Sequence, residues 1–382
     1  MTAAGAGTGP RTNAPDGPLE LAARFEKGID LAKVRALVAE VREKGGLPAE
    51  EVTTLNLVSI HFSQGGYERN RASMEAASAL HPARLISLIA EPKKEPAAVV
   101  ARVAMVRPRG SAHALERIVL TATGAAVRYL ESAVTGLLAP EVPLVVLWGG
   151  RPEGALLEHA ADSADRLIID SGTRPLATLG TVARLLRRGA PVGDLAWARI
   201  FPWQALAADL LDLPNLREHR AHLQGARVTT VGAPGPEAAL LAGWFASRVP
   251  KAKVEIVAGH AGAAVATAAE ARASEPAKRG DEAALPRSEP VCEGDVQELR
   301  FEAPPAVFTL RRDKGILVAQ VDGDDDGAVL HRVRLPPDAP GRLLALELKL
   351  LAGQDEIYVA AVEQAARLLA LPAGTAAHPE RP

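Results

Sequence analysis

Apolar and polar positions along this chain follow two rhythms that take turns in a regular order. In DLAKVRALVAEVREKGG, Leu31, Val34, Leu37, Val38 and Val41 fall on one helical stripe, with Asp30 placed to cap it and Gly45 to stop it. VTTLNLVSIHF (52–62) reads as a strand rich in β-branched residues, GGYERNRASMEAASAL (65–80) as a helix, and RLISLIA (84–90) as a second, buried strand. Strand, helix and strand in that order form the unit from which parallel sheets are built. Further strands are predicted at 99–107, 115–121, 142–148 and 166–171, with helical patterns at 124–140 and 156–165. The pattern predicts an α/β region with a mainly parallel or mixed sheet.

The rhythm then changes. Helical spacing dominates 176–220, followed by a strand at 226–232, a helix at 235–250 and a strand at 253–259. Residues 260–290 are rich in Ala, Glu and Pro without any period, the signature of a flexible insertion. VQELRFE, VFTLRR, GILVAQV and VLHRVRL alternate as antiparallel strands do, and a last helix is expected from about Pro340 to Leu371. The expected organisation is a disordered leader (1–18), an α/β domain (19–175), an α+β domain (176–371) holding the insertion, and a disordered tail (372–382).

Composition narrows the function classes. At 382 residues there is room for two domains with their own cores, and 48% hydrophobic with 24% charged residues fits a soluble globular protein. A net charge of −2 gives no field that favours nucleic acid or an anionic membrane as partner. The single cysteine, Cys292, excludes an internal disulfide and a Cys-based zinc cluster. No apolar run approaches the roughly 18–20 residues of a membrane span, and the leader has no apolar segment of the signal-peptide kind. The expected location is the cytoplasm.

Candidate chemistry is sparse. Aromatics make up 3% of the chain, yet two of its four tryptophans lie within GDLAWARIFPWQALAADLLD, residues 193–212. Asp194 is placed to cap a short turn, and Pro202 suits the first position of a second helix. On that helix Trp203, Leu206, Leu210 and Leu211 share one apolar face, so Trp203 reads as core. Trp197 and Arg199 leave two readings open: a stacked structural pair, or an aromatic and an arginine facing another protein, the pairing enriched at interfaces. Trp148, Trp197 and Arg199 are the predicted partner contacts, with Asp194 and Trp203 as structural support.

The glycine-bearing turns WGGRPEG (148–154, with Arg151) and VGAPGPEAALLAGW (231–244) could hold a phosphate on backbone amides. Neither carries the dinucleotide or P-loop spacing, and prolines at 234 and 236 remove amide donors. DGDDDG (322–327) reads as an acidic hairpin turn, since Val333 stands where a calcium loop needs glutamate. His219 and His222 have no evident third metal ligand. No catalytic residue, metal site or cofactor is predicted.

Several strings occur together in one order: REKGG (42–46), HPARLISLIA (81–90), PEVPLVVLW (140–148), DLAWARIFPWQALA (194–207), LLAGWFASRV (240–249) and DEIYVAA (355–361). In these the chain resembles the glucose-6-phosphate dehydrogenase assembly protein family, OpcA, over about residues 30–371. The resemblance implies a non-enzymatic partner of glucose-6-phosphate dehydrogenase that promotes its active oligomer in the oxidative pentose phosphate pathway. It also implies thioredoxin-linked control through cysteines in cyanobacterial members, which a chain with Cys292 alone does not share. The competing reading is an α/β enzyme that binds or processes a sugar phosphate, motivated by the two glycine turns and Arg151; a structural adaptor for another partner is the third.

Overall fold

The β-branched and apolar runs of the first half pair into one sheet of eight strands. These are β1 (Leu19–Phe25), β2 (Leu55–His61), β3 (Ala83–Glu91), β4 (Ala98–Val106), β5 (Leu115–Thr123), β6 (Leu144–Trp148), β7 (Arg166–Ile169) and β8 (Val192–Asp194). The computed structural model describes residues 19–26, 28–45, 53–107, 114–259, 292–313, 315–323, 328–335, 340–350 and 354–371. The expected leader (1–18), insertion (260–290) and tail (372–382) lie outside them.

The strand order is β1-β4-β5-β3-β2-β6-β7-β8. The six strands from β5 to β8 in that order are parallel, while β4 runs antiparallel to both β5 and β1. Parallel strands must be covered on both faces, and every residue of β2 is buried. Cover comes from α1 (Leu31–Gly45), α2 (Gln64–Ser78), α3 (Leu130–Thr135), α4 (Ala155–Ser163) and α5 (Thr178–Arg187). Among the parallel strands the winding starts at β2 and proceeds both ways, so the order reverses between β2 and β6. This is a doubly wound arrangement.

The second sheet holds β9 (Gly225–Thr230), β10 (Lys253–Ala258), β11 (Val296–Ala303), β12 (Ala306–Asp313), β13 (Ile316–Asp322) and β14 (Ala328–Arg334), in the order β10-β9-β11-β12-β13-β14. Only the β10–β9 pair is parallel. Leu299, Phe301, Phe308, Leu310, Leu317 and Ala319 alternate onto its inner face. There Phe301 stacks on Phe308 at 4.7 Å, and Phe245 approaches Phe301 at 5.7 Å. Phe245 belongs to α7 (Pro236–Arg248), which with α6 (Leu195–Asp212) and α9 (Glu356–Leu368) fills the space behind this sheet. The chain is thus an α/β region with a mixed sheet followed by an α+β region with a second sheet.

One buried cluster runs from the first sheet through α5, α6, α7 and α9 to the second sheet. A smaller one lies on the other face of the first sheet, where Met74 of α2 meets Leu343 and Leu344 of α8 (Pro340–Glu347). The end of the chain therefore returns to the first sheet. His81 Nε2 lies 3.2 Å from the Ala345 carbonyl, and Gly341 lies so close to α2 that a Cβ there would be 2.8 Å from Ala76 Cβ.

Four local expectations need correction. β1 goes unpredicted because LELAARF lacks β-branched residues; its pairing with β4 makes it a strand. β8, with three residues, is too short to show a period and lies inside the run expected to be helical, so the first sheet extends beyond residue 175. Residues 124–140 form a 3₁₀ turn (Gly124–Tyr129) before the short α3. The expected last helix is two helices, α8 and α9, separated by the 3₁₀ turn Leu348–Leu350, because Asp355 caps a fresh start at Glu356. Among the described residues no helix is long and apolar enough to cross a membrane.

Candidate functional site

The distinctive segment 193–212 lies where the two sheets are tied together. β8 ends at Asp194, whose extended backbone turns into α6 and whose carboxylate caps it. Asp194 Oδ1 accepts from the amides of Ala196 at 2.9 Å and Ser171 at 3.0 Å, while the Tyr358 hydroxyl lies 3.3 Å from Oδ2. Asp194 thus joins the end of β8, the loop after β7 and the first turn of α9. α6 runs unbroken through Pro202, where the sequence suggests a new helix. Packing of the buried Ile200, Trp203, Leu206 and Leu210 holds that helix together despite the missing amide.

Trp197, Trp148 and Arg199, the predicted partner contacts, are interior, which is the main correction to the sequence reading. Trp197 is 9% exposed; its indole N–H donates to Asp355 Oδ2 at 3.0 Å, and its ring lies 5.4 Å from that of Tyr358. Asp355 Oδ1 accepts from the Ile357 and Tyr358 amides at the start of α9. The cap of α9 is therefore bonded to the first turn of α6. The Arg199 side chain is 7% exposed and forks onto Asp170, Nη1 to Oδ1 at 2.7 Å and Nη2 to Oδ2 at 2.9 Å, with Glu237 of α7 at 3.5 Å. Trp148 is buried, and its indole donates to the Arg151 carbonyl at 2.8 Å. Trp203, at 5% exposure, packs in the central cluster.

A second charged pair lies beneath this hub. Arg166 of β7 and Glu347 of α8 meet at 2.6 Å, with side chains 2% and 3% exposed. Gly193 gives them room, since a Cβ there would overlap Glu347 Oε2 and come within 2.9 Å of Arg166 Nε. Burial pushes the Glu347 carboxyl up, and Arg166 opposes that. Asp170, Arg166, Glu347, Asp355 and Tyr358 were not singled out in the sequence. Asp355 alone carried a local signal, an acidic residue directly before the helix EIYVAAVEQAARL.

Burial also pushes the Asp194 carboxyl up to about 7 from 3.8, against its hydrogen bonds from Ser171 and Ala196 and with Asp170 adding to the rise. The folded state then holds this proton more tightly than the unfolded one. Its stabilising contribution is full below about pH 4 and is lost as pH rises through about 7. Each pKa unit is worth about 1.4 kcal/mol, so the loss is on the order of a few kcal/mol. The Asp194→Asn variant keeps an acceptor for the cap and removes this titration. Urea unfolding at pH 5 and pH 8 is expected to show the variant gaining on the parent as pH rises. A constant difference between the two would contradict the assignment.

This constellation braces the fold. Its polar groups are committed to one another, and among the described residues no group of three or more His, Cys, Asp or Glu side chains is placed to hold a metal.

Comparison with known proteins gives this architecture its context. Residues 74–186 match the family model described as the glucose-6-phosphate dehydrogenase subunit N-terminal domain, and residues 190–362 match the model of its C-terminal domain. A curated relative from Synechocystis, provisionally named OxPP cycle protein OpcA, is 30% identical over 138 residues, which cover 35% of this chain and 29% of that one. Its counterpart from Nostoc punctiforme is 26% identical over 246 residues, covering 58% and 53%. The chain spans about half or less of the length of these relatives. A 3-ketoreductase from Actinomadura kijaniata overlays with a TM-score of 0.44 and 10% identity, covering 84% of this chain and 97% of that one. A likeness of that size fixes neither fold nor chemistry. Both halves match in order, and the chain belongs to the OpcA glucose-6-phosphate dehydrogenase assembly family.

Proposed function

We propose that this chain binds glucose-6-phosphate dehydrogenase and favours its active oligomer, itself turning over no metabolite. The observation that carries this reading is the ordered match of both halves to the two domain families named for that enzyme's subunit. The interior hub supports it physically. An activator acts by binding the competent state of its partner more tightly than the inactive one. The coupling involved is typically about 1–3 kcal/mol. A binding surface that moved on contact would spend part of that energy on its own ordering. Asp194, Trp197, Arg199 and Trp203 lock α6 between the sheets, and the same helix presents the aromatic ring of Phe201 outward, 64% exposed. Phe201 is the aromatic this reading assigns to the partner.

Mixing the purified chain with the dehydrogenase is expected to raise its activity and shift its oligomer size by light scattering, with Phe201→Ala weakening the effect about tenfold or more. Unchanged activity and size across a range of ratios would refute the proposal.

A further inference from the structure

We propose that the crevice between the carboxyl ends of β2 and β6 binds a phosphate-bearing metabolite, at a site independent of any protein partner. In doubly wound sheets a crevice opens where the strand order reverses, and here that point lies between β2 and β6. Several features of this chain converge on it.

The first is bare backbone. α2 starts directly after β2, with Ser63 Oγ accepting the Gly66 amide at 3.1 Å. The amides of Gln64 and Gly65, in the first turn, have no acceptor within the helix. Across the crevice Gly149 follows β6. A Cβ there would lie 2.5 Å from His61 Nδ1 and 2.7 Å from the Ile60 carbonyl oxygen, and one on Gly150 would overlap the Phe62 ring. Side chains larger than hydrogen are excluded from this wall.

The second is positive charge without an ion-pair partner. Arg174 donates to the Gly149 carbonyl at 2.8 Å. Arg69 lies along the first turn of α2, with Nη1 3.6 Å from the Cβ position of Gly65, and Arg151 stands in the loop after β6. Burial lowers the Arg174 pKa, and the charges of Arg69 and Arg151 lower it further, against Asp170. That carboxylate is already forked onto Arg199. Among the described residues no carboxylate lies within ion-pair distance of Arg69, Arg151 or Arg174, whereas neighbouring Arg71 and Arg199 each have one. A lone exposed arginine means little; Arg69 at the start of α2, with Arg151 and Arg174 beside the end of β6, together make an anion site.

The third is a buried polar atom with nothing to bond. His61, the last residue of β2, is fully buried; Nε2 lies 2.9 Å from Ser59 Oγ, and Nδ1 has no hydrogen-bond partner and faces Gly149. Leaving such an atom without a partner is destabilising. Burial, with Arg69 adding to it, holds the ring neutral, its pKa near 4. The neutral ring directs Nδ1 at the Gly149 backbone, where the ends of β2 and β6 meet. Arginine forks together with helix-terminal amides are the groups that recognise phosphate. The Phe62 ring, 44% exposed and edge-on to Trp148 at 5.5 Å, offers a face for the organic part of the ligand.

Calorimetric titration of the full chain with inorganic phosphate, a hexose phosphate and a nucleoside diphosphate tests the site. Saturable one-to-one binding is expected, weakened at least tenfold in the Arg69→Ala/Arg151→Ala double variant, whose altered side chains are exposed and leave the core untouched. The His61 ring nitrogen signals in NMR are expected to move when phosphate is added. Tighter binding of the hexose phosphate identifies a sugar ligand, and tighter binding of the diphosphate a nucleotide. No saturable binding of any of the three would overturn the proposal. So would an unchanged affinity in the double variant, or unmoved His61 signals.

Discussion

Glu347→Ala is expected to destabilise the protein by about 3–5 kcal/mol, the loss found when one member of a buried ion pair is removed. The pair lies at 2.6 Å with both side chains almost wholly out of water. Truncating Glu347 withdraws the carboxylate from a guanidinium that burial has already stripped of solvent. Coulomb attraction across the pair is therefore not the quantity lost; desolvated charge left behind is. The double variant Arg166→Leu/Glu347→Leu removes both charges and is expected to recover most of the stability, because well-packed apolar replacements of such pairs are near neutral. Chemical unfolding of the parent, both single variants and the double variant measures the coupling. Equal and additive losses would show that the two groups do not act as a pair. Since the pair joins β7 to α8, the loss is expected to loosen the return of the chain's end onto α2 as well, visible as faster amide exchange in α8.

Gly243→Leu is expected to cost about 3 kcal/mol or more, at the upper end of what overpacking does. Gly243 lies on α7 where α9 crosses it. A Cβ there would overlap the Ala361 carbonyl oxygen and fall 2.7 Å from the Ala365 amide nitrogen. These are backbone atoms, so no rotamer change relieves the clash, and one helix must move away from the other. The gain in helix propensity on replacing glycine, about 1 kcal/mol, is smaller than that displacement. α9 carries Tyr358 and the Asp355 cap, so moving it also strains the bonds to Asp194 and Trp197. Thermal unfolding and near-UV circular dichroism of the Trp197–Tyr358 contact measure the effect; a variant as stable as the parent would show that the helices do not meet here.

Both predictions turn on contacts between segments far apart in the chain, and these contacts divide what was legible from what was not. The stripe of Val34 and Val41, the alternation of Leu299 and Phe301, the strand–helix–strand unit at β2, α2 and β3, and a capping aspartate at 194 are encoded within a few residues of one another. Period and capping need no tertiary partner, so the α/β region followed by an α+β region could be read directly. β8 could not, since three residues hold less than two repeats of any pattern. Pro202 misled for a related reason: propensity argues for a helix start, and the buried face of Trp203, Leu206 and Leu210 overrules it.

The fate of Trp197 and Arg199 marks the limit. Their sequence neighbourhood fits a docking surface and a core anchor equally well. The choice was made by Asp355, 158 residues from Trp197, and by Asp170, 29 residues from Arg199. The crevice was half visible: WGGRPEG drew attention through its glycines and Arg151, but Arg69, Arg174 and His61 reach it only once the strand order brings β2 beside β6. By itself the sequence determined which segments become strands and helices and which face of each avoids water, because those preferences are local. The tertiary structure alone decided which polar groups lie inside and what they bind there. A buried charge or indole is tolerated only when a particular distant partner meets it, and no pattern along the chain records who that partner is.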